Sequence, residues 1–118
     1  MSLYEYRIRV VSVYDGDTLR ADIDLGFFTW RMNEQFRLYG VNTPELRGGT
    51  AETKRRAIEA RDFVRKWVSN HEGMTAVTDR DRSGKYGRFL ATIYNKNRLC
   101  LNDELIRLGY AVPYMRDR

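Results

Sequence analysis

The sequence predicts an α+β domain built on a small β-barrel of five strands. Three observations carry this. Five short segments rich in Val, Ile, Tyr, Phe and Leu alternate as strands do. One long segment between the third and fourth switches to helical spacing. A second, shorter helical segment follows the fifth. The 118 residues, 42% of them apolar and 13% aromatic, suit one domain with one core. They exclude a disordered chain or a coiled-coil rod.

The elements follow in order. Residues 4–14, "YEYRIRVVSVY", make the first strand. "DGD" breaks it, and Thr18–Asp24 alternates again. Leu19, Ala21 and Ile23 then share a face with Asp17, which enters at the rim of that face, while Asp22 and Asp24 point the other way. "LGFFTWRMNEQ", residues 25–35, is read as a connection with a turn at Gly26, unusually apolar for a loop. The third strand is "RLYGVNTPEL", starting at Arg37; Pro44 removes a ladder donor and holds Thr43 extended, so pairing stops there.

After the loop "RGGT", Thr50 is the N-cap of a helix over 51–70 that closes near Gly73. Thr53 stands where a capping box has Glu or Gln, so only half a box is expected. Ala57, Ala60, Val64, Trp67 and Val68 form the apolar stripe, with Phe63 beside it. "MTAVTD" is the fourth strand, "RDRSGKYGR" a polar turn, and "FLATIYNKNRLCL" a hairpin around "NKN". Asn102 caps the last helix and Gly109 stops it. Strands and helices in this order suggest a closed barrel of the OB type, although periodicity alone leaves the topology open.

The net charge of +5 makes polyanions plausible partners, nucleic acid before an anionic membrane. One cysteine and one histidine make a disulfide impossible within the chain and disfavour His-based triads and zinc sites. No apolar run is long enough to span a membrane. No signal-peptide core is present, which leaves the cytoplasm, or secretion after loss of a leader, both open. A monomer is the expected state, and no membrane partner is expected.

Four clusters carry chemistry-bearing side chains: Asp15 and Asp17; Arg37; Asn42, Thr43 and Glu45; Lys85, Tyr86 and Arg88. Singly, each has an ordinary explanation as a turn, an edge-strand charge or a loop residue. Together, "DGDT", "RLYGVNTPE" and "GKYGR", in this order and with an amphipathic helix before the third, resemble the staphylococcal nuclease (thermonuclease) family over residues 10–114. The resemblance implies one nuclease domain over residues 1–118, a five-stranded OB-type Greek-key barrel with about three helices. It implies a calcium-dependent endonuclease that cuts DNA and RNA with little sequence preference and leaves 3′-phosphate ends. The alternative is an inactive nucleic-acid or protein-binding module of the same fold.

By the same resemblance Asp17, Asn42 and Thr43 are the metal ligands, Thr43 through its backbone carbonyl. Arg37 and Arg88 contact the scissile phosphate, and Glu45 activates water. Lys85, Tyr86 and Tyr114 hold substrate. The chemistry is coherent: calcium takes oxygen ligands, arginine forks pair with phosphate, and a carboxylate beside the metal serves as general base. Three departures stand out. Asn42 replaces the aspartate of the family's best-known member, which keeps an oxygen ligand, removes a charge and predicts weaker calcium affinity, with Asp15 as a compensating acid. The connection carrying Phe27, Phe28 and Trp30 is longer and more aromatic; it stacks bases, covers a core edge or meets a partner subunit. The segment after Glu45 is shorter.

Overall fold

A computed structural model describes residues 4–80 and 88–114. β1 (Glu5–Asp15), β2 (Thr18–Asp24) and β3 (Trp30–Leu38) form an antiparallel meander. β4 (Val41–Asn42) leaves the barrel and α1 (Ala51–Asn70) crosses to β5 (Thr75–Arg80) and β6 (Phe89–Tyr94). β6 lies parallel to β3 and antiparallel to β5, and β5 pairs β1, which closes the barrel in the order β1-β2-β3-β6-β5. α2 (Leu101–Arg107) and β7 (Val112–Pro113) complete the chain, β7 pairing β4. The OB-type architecture is the expected one. The helix number differs: two lie among the described residues, α1 and α2, where about three were expected.

The barrel closes because its inward positions alternate small and large side chains. Ala21, Ala76 and Ala91 are fully buried with Phe36, Leu19, Leu38 and Ile93, the mix of small and large side chains that fills a narrow barrel interior. Register shifts in β1 between Val10 and Ser12, and between Val13 and Asp15, are the irregularities that bend a strand around a barrel. α1 packs Ala57, Ala60, Val64 and Trp67 inward. Burial of a side chain such as Val64 contributes about 1.5–3 kcal/mol.

Several local readings change. The third strand begins at Trp30, not Arg37: residues 30–35 pair with β2, and the connection shrinks to a turn over residues 25–29. The strand then breaks at Gly40, whose φ of 77° suits glycine. The capping box at Thr50 is complete, because the Thr53 hydroxyl accepts from the Thr50 amide at 2.8 Å while Thr53 N–H donates to Thr50 Oγ1 at 3.2 Å. Asn102 is not a cap. Cys100 holds that position, and the buried Asn102 amide instead accepts from Ile93 N (3.0 Å) and donates to Tyr39 O (2.9 Å) and Ala91 O (3.0 Å). It ties α2 to β6 and to the end of β3. The hairpin around "NKN" has as its return arm only a bridge, Tyr94 to Cys100.

Candidate functional site

Asp17 leaves β1 on the tight "DGD" link to β2, and its side chain is buried at the barrel rim. Its neighbour explains the link: a Cβ on Gly16 would lie 2.9 Å from both Ala60 Cβ and Thr43 Cγ2. Glycine is needed there for close approach of α1 and the Thr43 segment, not for a positive φ. Asp17 Oδ2 accepts from Thr43 N–H at 3.1 Å, and Asp17 Oδ1 accepts from the Thr18 hydroxyl at 3.1 Å. The backbone completes the frame, Leu38 N–H donating to Asp17 O at 2.8 Å.

Arg37 is the counter-charge. β2–β3 register sets it across from Thr18, and its Nη1 lies 3.2 Å from Asp17 Oδ2. Nη2 donates to Val41 O at 3.2 Å and, at a long 3.4 Å, to Asn42 Oδ1. Tyr114 covers the guanidinium, its ring centroid 5.1 Å from Cζ, and is itself fixed by Tyr114 N–H donating to Gly40 O at 2.8 Å. One cation thus gathers Asp17, Asn42 and Tyr114 from three separate segments.

A second acidic group lies beside it. Asp15, Glu45, Leu46, Arg47 and Tyr14 line an open cavity of about 470 Å³. Burial pushes the Asp15 carboxyl up, reinforced by the charges of Asp17 and Glu45 and opposed by a Leu46 amide hydrogen bond and by Arg61. The Asp15 carboxyl therefore lies within reach of the charges of both Asp17 and Glu45. Asp15 Oδ1 and Thr43 Oγ1 are buried without a hydrogen-bond partner, polar atoms of the kind a bound ion or water satisfies. Glu45 is exposed.

Arg88 immediately precedes β6, whose register places Leu90 opposite Arg37. Lys85 and Tyr86 lie outside the described residues. Among the described residues, no group of three or more His, Cys, Asp and Glu side chains gathers as a metal centre. The carboxylate, carbonyl and amide oxygens of Asp17, Val41 and Asn42 converge on the Arg37 guanidinium; they are oxygen donors of the types that a hard cation such as calcium also takes. Sequence reasoning singled out Arg37 and Tyr114 as substrate groups; it missed that Arg37 pairs with Asp17 and stacks on Tyr114. It also missed the steric role of Gly16, for which the glycine between two acids was the sole signal.

A closed OB-type barrel with cationic and carboxylate groups at its rim places the chain among proteins whose sheet face and loops commonly meet oligonucleotides. Residues 35–118 match the family model described as staphylococcal nuclease homologue, and the chain belongs to that family. It is 28% identical over 107 residues to the thermonuclease of Staphylococcus hyicus, covering 91% of this chain and 59% of that protein. It is 31% identical over 102 residues to the thermonuclease of Staphylococcus intermedius, covering 86% and 53% respectively. An uncharacterized protein of Methanocaldococcus jannaschii is 33% identical over 131 residues, with 93% of this chain and 60% of that protein covered. The chain spans little more than half the length of these relatives. No helix among the described residues is long and apolar enough to cross a membrane.

Proposed function

We propose that this chain is a single-domain, calcium-dependent phosphodiesterase that hydrolyses DNA and RNA with little sequence preference and leaves 3′-phosphate ends. It acts as a monomer. The observation that supports this most is the convergence of Asp17 and Asn42 on Arg37 beside the Asp15–Glu45 cavity.

Asp17 and Asn42 side-chain oxygens and the Thr43 carbonyl would hold calcium, which when bound supplies a Lewis acid for a phosphoryl oxygen. Arg37 has five N–H donors. Its contacts to Asp17, Val41 and Asn42 use both terminal nitrogens, which among the described residues leaves Nε–H and one Nη1–H to donate to phosphate oxygens. Such charge-assisted bonds strengthen as negative charge grows at phosphorus. Tyr114 holds the guanidinium plane in place for this. Arg88 supplies the second phosphate contact, while Lys85 and Tyr86 hold a flanking phosphate. Glu45, open to solvent beside the cavity, takes the proton from the attacking water.

Replacing Glu45 by Gln tests the reading. The rate on single-stranded DNA falls about 10²–10⁴-fold with unchanged circular dichroism. An unchanged rate removes Glu45 as the base.

A further inference from the structure

The β2–β3 turn does not cover the core. Phe27 and Phe28 are 96% and 104% exposed. The turn is closed by Leu25 N–H donating to Thr29 O and Thr29 N–H to Gly26 O, both at 2.9 Å. Phe27 and Phe28 sit at φ 57° and 59°, the left-handed pair that a tight two-residue hairpin turn requires and that bulky residues rarely supply. Both rings face water.

The outer face of β1, β2 and β3 leads from this tip to the rim. Arg9 Cζ stands 4.9 Å from the Trp30 ring centroid. Next along the sheet, Ser12, Tyr14, Thr18, Arg20 and Gln35 line a groove of about 310 Å³. Thr18 ends it, bonded to Asp17 and opposite Arg37. Thr18–Asp24 at about 3.3 Å per residue covers about 20 Å, or about six nucleotides at stacked spacing of 3.4 Å.

We infer that the Phe27–Phe28 tip is a second contact for single-stranded nucleic acid, two unpaired bases stacking on its rings while the intervening phosphates pass Arg20. The inference rests on the phosphodiesterase reading, since the strand that reaches the tip is the one whose phosphate lies at Arg37. Stacking on exposed rings is tolerant of sequence, as a nuclease of low preference requires. A lipid surface fits less well: Asp24, whose Oδ1 accepts from Gly26 N–H, stands at the base of the turn where headgroups would lie. For a nucleic-acid strand the cation on this face is Arg20, Arg9 being paired with Asp22, and only the bases reach the tip.

The test compares the unaltered chain with Phe27→Ser/Phe28→Ser, measuring binding in chelator and cleavage in calcium on oligo(dT) of 4 and of 16 nucleotides. The double variant binds the 16-mer at least tenfold more weakly and equals the unaltered chain on the 4-mer. Phe28→Trp keeps 16-mer affinity, and its added fluorescence is quenched by the 16-mer but not the 4-mer. Equal affinities of both proteins for the 16-mer, with cleavage intact, overturn the inference and leave the phosphodiesterase reading standing. Absence of binding and cleavage in the unaltered chain overturns both. Cosedimentation with phosphatidylcholine–phosphatidylserine vesicles, or dimerisation in gel filtration, either of them abolished by the double variant while 16-mer binding is unchanged, assigns the tip to lipid or to a second copy instead.

Discussion

Arg37 Nη1 and Asp17 Oδ2 lie 3.2 Å apart, and the two side chains are only 10% and 11% exposed. The proposed metal ligand and the proposed phosphate ligand are thus each other's partner. Removing one member of a buried pair leaves a buried charge without compensation, at a cost of about 3–5 kcal/mol. Arg37→Met is expected to lower stability by that order, and adding Asp17→Asn to recover part of it. Urea unfolding of Arg37→Met, Asp17→Asn and the double variant measures this; additive losses would mean the two groups do not interact.

Asn42 Oδ1 faces the same guanidinium at 3.4 Å. Asn42→Asp adds a negative charge where calcium is proposed to bind, and opposite unit charges about 4 Å apart at an effective dielectric near 20 attract by roughly 4 kcal/mol before desolvation and screening reduce it. Calcium binding measured calorimetrically is expected to tighten at least tenfold. Equal affinity in both proteins would place residue 42 away from the ion.

Gly16 leaves no room for a side chain, with Ala60 Cβ and Thr43 Cγ2 both 2.9 Å from a Cβ built there. Neither obstacle is a flexible tip. Gly16→Ala is expected to cost about 1–3 kcal/mol, as overpacking does, and to reduce activity by displacing Thr43 from Asp17. Thermal unfolding and cleavage rate together check it; a variant of unchanged stability would contradict the packing.

Away from the rim, Asp22 accepts from Asn33 N–H at 2.8 Å and from Arg9 at 2.9 Å. The Asn33 amide first, then Arg9, hold its carboxyl below the ordinary aspartate value. A group whose folded pKa is lowered stabilises the fold above its unfolded pKa and loses that contribution as pH falls through the folded one. Stability therefore drops below the ordinary aspartate range, and Asp22→Asn is expected to lose less between pH 7 and pH 3. Urea midpoints at the two pH values decide; equal losses would remove Asp22 from the acid limb.

What was legible in the sequence was local. Thr18–Asp24 is a strand from its alternation alone, and α1 follows from the spacing of Ala57, Ala60, Val64 and Trp67. The number and order of such segments suggest the barrel without fixing its topology, which the β3–β6 and β1–β5 pairings settle. Residues 30–35 were read as loop because their exposed, mixed side chains carry no period; only pairing with β2 makes them strand. Asn102 resembled an N-cap because its acceptors, Tyr39 O and Ala91 O, are distant in sequence. The motifs pointed to Asp17, Arg37 and Asn42 individually. Their meeting at one guanidinium depends on β2–β3 register and on the break at Gly40, which spacing does not encode.

The most direct measurement is cleavage of single-stranded DNA by the purified chain across a calcium titration, against chelator and against Glu45→Ala. A calcium-dependent nuclease gives a rate that rises with calcium, vanishes in chelator and is lost in the variant. Cleavage indifferent to calcium, or none at any calcium concentration with DNA binding retained, would contradict it and leave a nucleic-acid-binding barrel in its place.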